Sequence, residues 1–89
     1  MEREPLRRAS DELREASELA DGTLGERLLK QSETFADLAG RDRGPDHGRL
    51  DRHLNALREI AAQLDGEAKA HVEAASEAIT EYRSGVSGV

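Results

Sequence analysis

Eighty-nine residues carry 19 Asp and Glu against 13 Lys and Arg, a net charge of −6 at pH 7, which argues against a nucleic-acid or anionic-membrane surface held by phosphate contacts. Cys is absent and the longest apolar runs, such as Ile60-Ala61-Ala62, are three residues. Disulfides, thiolate chemistry, a membrane span and a signal segment are therefore excluded from the expectation, and a cytoplasmic location is expected.

The chain is rich in Ala, Leu, Glu and Arg and poor in β-branched residues, so helices are expected throughout a single domain, 1–89. Thirteen of its hydrophobic residues are Ala, with one Phe and one Tyr, so the core must come from close helix approach. The first helical period runs from about Pro5 to Asp21, with Leu6, Ala9, Leu13, Ala16 and Ala20 on one face. Gly22 suits the left-handed position that ends a helix, and Thr23 with Glu26 reads as a capping box for the next. The second period runs from Leu24 to Ala39, its stripe being Leu24, Leu28, Phe35 and Leu38. Residues 40–48 hold three Gly and one Pro and form the expected linker. The third period starts at Asp46 or Arg49 and carries Leu50, Leu54, Leu57, Ala61 and Leu64. The fourth runs from Glu67 to Arg83 with Ala68, Val72, Ala75, Ile79 and Tyr82, and residues 85–89 are expected to fray.

The hairpins 5–39 and 49–84 superpose with a constant offset of 44 residues and no gap. Leu13-Arg14-Glu15 falls on Leu57-Arg58-Glu59, Asp21-Gly22 on Asp65-Gly66, and Ser32-Glu33 on Ser76-Glu77. The expected fold is thus all-α, an antiparallel four-helix bundle of two repeated helix hairpins. An alternative fits the same pattern. The stripe from Leu50 to Tyr82 keeps its rhythm across Asp65-Gly66, and a Gly inside a helix costs only about 1 kcal/mol. The second half is then one long helix of an extended hairpin that dimerises.

A helix ending in Ala20-Asp21-Gly22 is followed by Glu26-Arg27-Leu28, Ser32-Glu33 and the Gly44-Pro45 linker. Then come Leu57-Arg58-Glu59-Ile60, Asp65-Gly66-Glu67-Ala68 and Glu81-Tyr82-Arg83. From Leu6 to Arg83 this resembles a group of small acidic helical proteins of haloarchaea. The resemblance implies a halophilic cytoplasm and carries no activity. The charge pattern leans the same way, with eleven Arg, only Lys30 and Lys69, and many carboxylates, as suits a medium in which salt screens self-repulsion.

No constellation of catalytic type is present. The Ser and Thr residues lack a His–Asp arrangement, the glycines lack the P-loop Lys and spacing, and no inward Glu-x-x-His pair exists for a metal bundle. No catalytic residue, cofactor or metal site is therefore assigned. His47 and Asp51 are spaced i, i+4, while His53 and His71 border their stripes as amphipathic edge residues. The linker cluster Arg41, Arg43, His47 and Arg49 is the candidate contact set for a small ligand, a metal or an acidic partner. Its simpler reading is a solvated crossover. Leu19, Leu29 and Ala36 fall outside their stripes, and Leu19 and Leu29 correspond to Gln63 and Glu73 in the second hairpin. They are the candidate partner interface. The expected function is a non-enzymatic module for protein interaction or self-association, binding a protein partner or forming a homodimer, with small-ligand or metal binding as the alternative.

Overall fold

The computed structural model describes residues 4–40 and 47–87. Four helices follow one another: α1 Glu4–Leu19, α2 Gly22–Gly40, α3 His47–Ala61 and α4 Gly66–Ser87. α1 packs against α2 and α4, and α3 against α4. The long axis of 38 Å is close to the ~33 Å expected of a helix of α4's length, so the helices lie side by side as a four-helix bundle.

The two hairpin turns are built alike. Gly22 and Gly66 both adopt φ 62°, a left-handed backbone that costs a residue with a Cβ about 1–2 kcal/mol. Ahead of the second turn, Gln63 N–H donates to the Ile60 carbonyl at 3.0 Å and Leu64 N–H to the Ala61 carbonyl at 3.1 Å, tightening the end of α3. The chain therefore reverses at Asp65-Gly66, and the single long helix is not formed. The two glycines lie 44 residues apart, as the repeat requires. The capping box at Thr23 is also not formed. α2 begins at Gly22, which places Thr23 inside the first turn, and Gly25 N–H reaches back to the Asp21 carbonyl at 3.4 Å. At the other end, α4 continues through Gly85 to Ser87, beyond the expected stop. Most of the expected linker, residues 41–46, lies outside the described residues.

The core gathers the expected stripes. Leu6, Leu13, Leu28, Phe35, Leu57 and Ile79 are fully buried. Two additions come from Ile60 and Ala78, and two polar residues, Ser10 and Ser32, are buried among them. The Ser10 hydroxyl donates to the Ser32 carbonyl at 2.8 Å across α1–α2.

The repeat is unequal in bulk, and this sets the spacing of the helices. Ala9, Ser10 and Ala16 of α1 correspond to His53, Leu54 and Ile60 of α3. Small side chains let α1 come close to both of its neighbours, with Ala68, Ala75 and Ala78 on α4 also buried. Larger side chains hold α3 further from α4, and α3 meets α2 chiefly through side chains. One seam between the hairpins, α1–α4, is thus close and Ala-lined. The other, α2–α3, is wider.

Candidate functional site

The outer face of α2 follows from helical spacing. Glu26, Leu29, Lys30, Glu33, Ala36 and Asp37 recur at intervals of three and four and are all exposed. Leu29 stands 43% exposed in a shallow, open depression with Thr23, Glu26, Lys30 and Glu33 around it. Ala36 shares its face two turns on. Leu19, 51% exposed, ends α1 beside the turn into α2. All three residues lie on the first hairpin and outside the core, and Leu19 and Leu29 are the exposed large hydrophobic residues among those described. Each of these two leaves about half of its surface in water and so forgoes part of the about 1.5–3 kcal/mol that full burial of a Leu side chain contributes.

The linker candidates are not brought together in the same way. Arg41 and Arg43 lie outside the described residues. The backbone of His47 opens α3, and Arg49 is exposed one turn before His53. Among the described residues, no three His, Asp or Glu side chains are placed to share a metal ion. A second depression, between α3 and α4, is lined by Leu54, Arg58, Ser76, Glu77 and Thr80 and is also open to solvent.

The two remaining histidines each occupy a seam between the hairpins. His53 of α3 places Nδ1 2.9 Å from Oε1 of Gln31 on α2, so an Nδ1–H donates to the amide oxygen. Its ring meets that of the buried Phe35 edge to face, with centroids 5.0 Å apart. Burial, and then the Arg49 guanidinium, push the His53 pKa below the ordinary histidine value. His71 of α4 sets Nδ1 2.6 Å from Oε1 of Glu12 on α1. That hydrogen bond, aided by the charges of Glu12, Glu15 and Glu67 and opposed by partial desolvation, raises its pKa. Both residues sit at the edge of their stripes, as their spacing indicated. Their partners come from other helices and had no signature in the local pattern.

Ion pairs complete the seams. Arg8 reaches Glu81 at 2.8 Å across α1–α4, Arg27 reaches Glu59 at 3.1 Å across α2–α3, and Arg83 pairs with Asp51 across α4–α3. The partners are all partly or well exposed, so each pair contributes only about 0.2–1 kcal/mol. Their role is to favour one register of the helices over others. Arg27 and Glu59 correspond through the repeat to His71 and Glu15, so both seams place a basic side chain of the later helix in a hairpin near carboxylates of the other hairpin.

The described residues contain no helix long and apolar enough to cross a membrane. No curated protein and no solved structure matches the chain significantly. Residues 1–85 do match the family of unknown function DUF7553, and the chain belongs to that family.

Proposed function

We propose that the chain is a non-enzymatic helical interaction module that acts through the outer face of its first hairpin. One observation carries this reading. Leu19 and Leu29 are the exposed large hydrophobic residues among those described, and the repeat puts Gln63 and Glu73 at the corresponding positions. A protein surface, either a second copy or another protein, is the partner that an apolar patch of this kind suits. Nucleic acid is not, because the chain carries a net charge of −6. The alternative, a small ligand or metal at Arg41, Arg43, His47 and Arg49, draws on a cluster of which Arg41 and Arg43 lie outside the described residues.

The excess of carboxylates and the preference for Arg over Lys support a salt-rich cytoplasm as the working medium. In molar potassium or sodium chloride, screening should relieve self-repulsion, and the melting temperature should rise. A melting temperature indifferent to salt counts against that setting.

The interaction reading is tested by light scattering on the wild type and on Leu29→Asp, over a concentration series in molar salt. Wild type should exceed the 9.7 kDa of one chain. Leu29→Asp should run as a monomer that keeps the helical circular-dichroism spectrum of the wild type, because Leu29 lies outside the core. A strictly monomeric wild type removes the self-association form. The hetero-partner form falls if a purified candidate partner binds wild type and Leu29→Asp equally.

A further inference from the structure

The inequality of the repeat extends to the outer surfaces of the hairpins. In the first, Ser10 and Ser32 are buried and the Ser10 hydroxyl donates to the Ser32 carbonyl, so α1 and α2 lie close. The outer face of α2 carries Leu29, 43% exposed. In the second hairpin, Leu54 takes the place of Ser10, and Ser76 that of Ser32. The bulk of Leu54 holds α3 off α4, and an open depression of about 240 Å³ lies between them, lined by Leu54, Arg58, Ser76, Glu77 and Thr80. The counterpart of Leu29 here is Glu73, so the second hairpin has a depression and lacks the apolar knob. We propose, building on the self-association form of the interaction role, that Leu29 of one copy seats in the α3–α4 depression of the next.

Size and charge select this occupant. A core cavity of about 150 Å³ admits a benzene ring, so the larger α3–α4 depression has room for a Leu side chain. Around Leu29 stand Glu26, Lys30 and Glu33, while the Arg27 guanidinium is engaged with Glu59. The depression offers Arg58 and Glu77, both exposed. With Leu29 seated there, Lys30 meets Glu77, and Glu26 or Glu33 meets Arg58. The contact sets three carboxylates against two cations. Two α2 faces packed on one another would set four carboxylates against two lysines, so like charges oppose the symmetric dimer. A contact between two different faces leaves an unused knob on one copy and an unused depression on the other. It therefore propagates along an open chain of copies unless its rotation closes a ring.

Mixing two variants tests the proposal by light scattering, at chain concentrations up to about 1 mM to cover a contact of this small size. Leu29→Asp loses the knob and keeps the depression. Thr80→Arg, at an exposed position, fills the depression and keeps the knob. Each alone should be monomeric, and an equimolar mixture should form a complex with the mass of two 9.7 kDa chains. A Thr80→Arg protein that self-associates as the wild type does, or a mixture that stays monomeric, overturns the proposal. In both cases a monomeric Leu29→Asp beside an associating wild type keeps Leu29 as an interface residue. A monomeric wild type overturns the proposal and the self-association form together. If Thr80→Arg loses the helical circular-dichroism spectrum, the wild type decides. Its amide NMR shifts should move with concentration around Leu29 and, with the same dissociation constant, at Arg58, Glu77 and Thr80. Movement confined to α2 overturns the proposal.

Discussion

Gly25→Ala is the substitution for which local and tertiary reasoning predict opposite signs. Gly25 lies inside the first turn of α2, where replacing Gly by Ala ordinarily stabilises a helix by about 1 kcal/mol. A Cβ at this position would stand 2.7 Å from the Ala20 carbonyl oxygen and 3.4 Å from both the Ala20 carbonyl carbon and the Ser17 carbonyl oxygen. These are backbone atoms at the end of α1, held in place in part by the Ala20 N–H donating to the Ala16 carbonyl at 3.0 Å. They cannot swing aside as a flexible side chain would. Relieving the overlap moves α2 against α1, and overpacking of that kind costs about 1–3 kcal/mol. The net expectation is a loss of about 1 kcal/mol, a fall in melting temperature of about 4–8 °C for a domain of this size. Thermal and urea unfolding followed by circular dichroism measures it. Gly40→Ala is the control, because nothing lies within 4 Å of the added carbon, and it should not destabilise. A Gly25→Ala protein that melts higher than wild type refutes the argument from close approach.

Gly22→Ala and Gly66→Ala meet no atom within 4 Å, so their cost is that of the left-handed backbone alone; each should lose about 1–2 kcal/mol. The two losses should agree within about 0.5 kcal/mol and add in the double variant, and denaturant titration that finds them unequal speaks against equivalent turns. Ser32→Ala removes a fully buried hydroxyl that has no hydrogen-bond partner and should raise stability by about 1 kcal/mol, whereas Ser10→Ala breaks a bond to a buried carbonyl and should lower it by a similar amount. For His71, whose folded pKa is raised, the contribution to stability is fully present below the unfolded value of about 6.5 and disappears as pH rises through the folded value. The wild-type melting temperature should therefore decline as pH rises above about 6.5, and that decline should flatten in His71→Gln. An equal decline in the variant would show that another group is responsible.

The helices and their buried faces were legible because amphipathic periodicity is a local property. Leu6, Leu13, Leu28, Phe35, Leu57 and Ile79 lie in the core because their spacing allows a single apolar face to be covered. The turns were legible for the same reason, since a Gly that must take φ 62° is marked by its type and by its repeat 44 residues away. The exposure of Leu19 and Leu29 was visible as a departure from the stripe. The Thr23 cap was misread because several polar residues near a turn can begin a helix, and the backbone chose a start two residues before Leu24.

What the linear pattern left open was how near the helices come and which polar groups meet between them. Whether Asp65-Gly66 turned the chain or merely interrupted a long helix depended on a partner surface for both halves of the second hairpin. Packing of α3 against α4 decided it. The meetings of His53 with Gln31, His71 with Glu12 and Ser10 with Ser32 join residues 22 to 59 positions apart. Such pairings arise only after Ala-lined and Leu-lined faces have set the separation of the helices. Short-range stereochemistry and hydrophobic period specify each helix on its own. The closeness of one seam and the openness of the other are properties of side-chain volume summed across two hairpins.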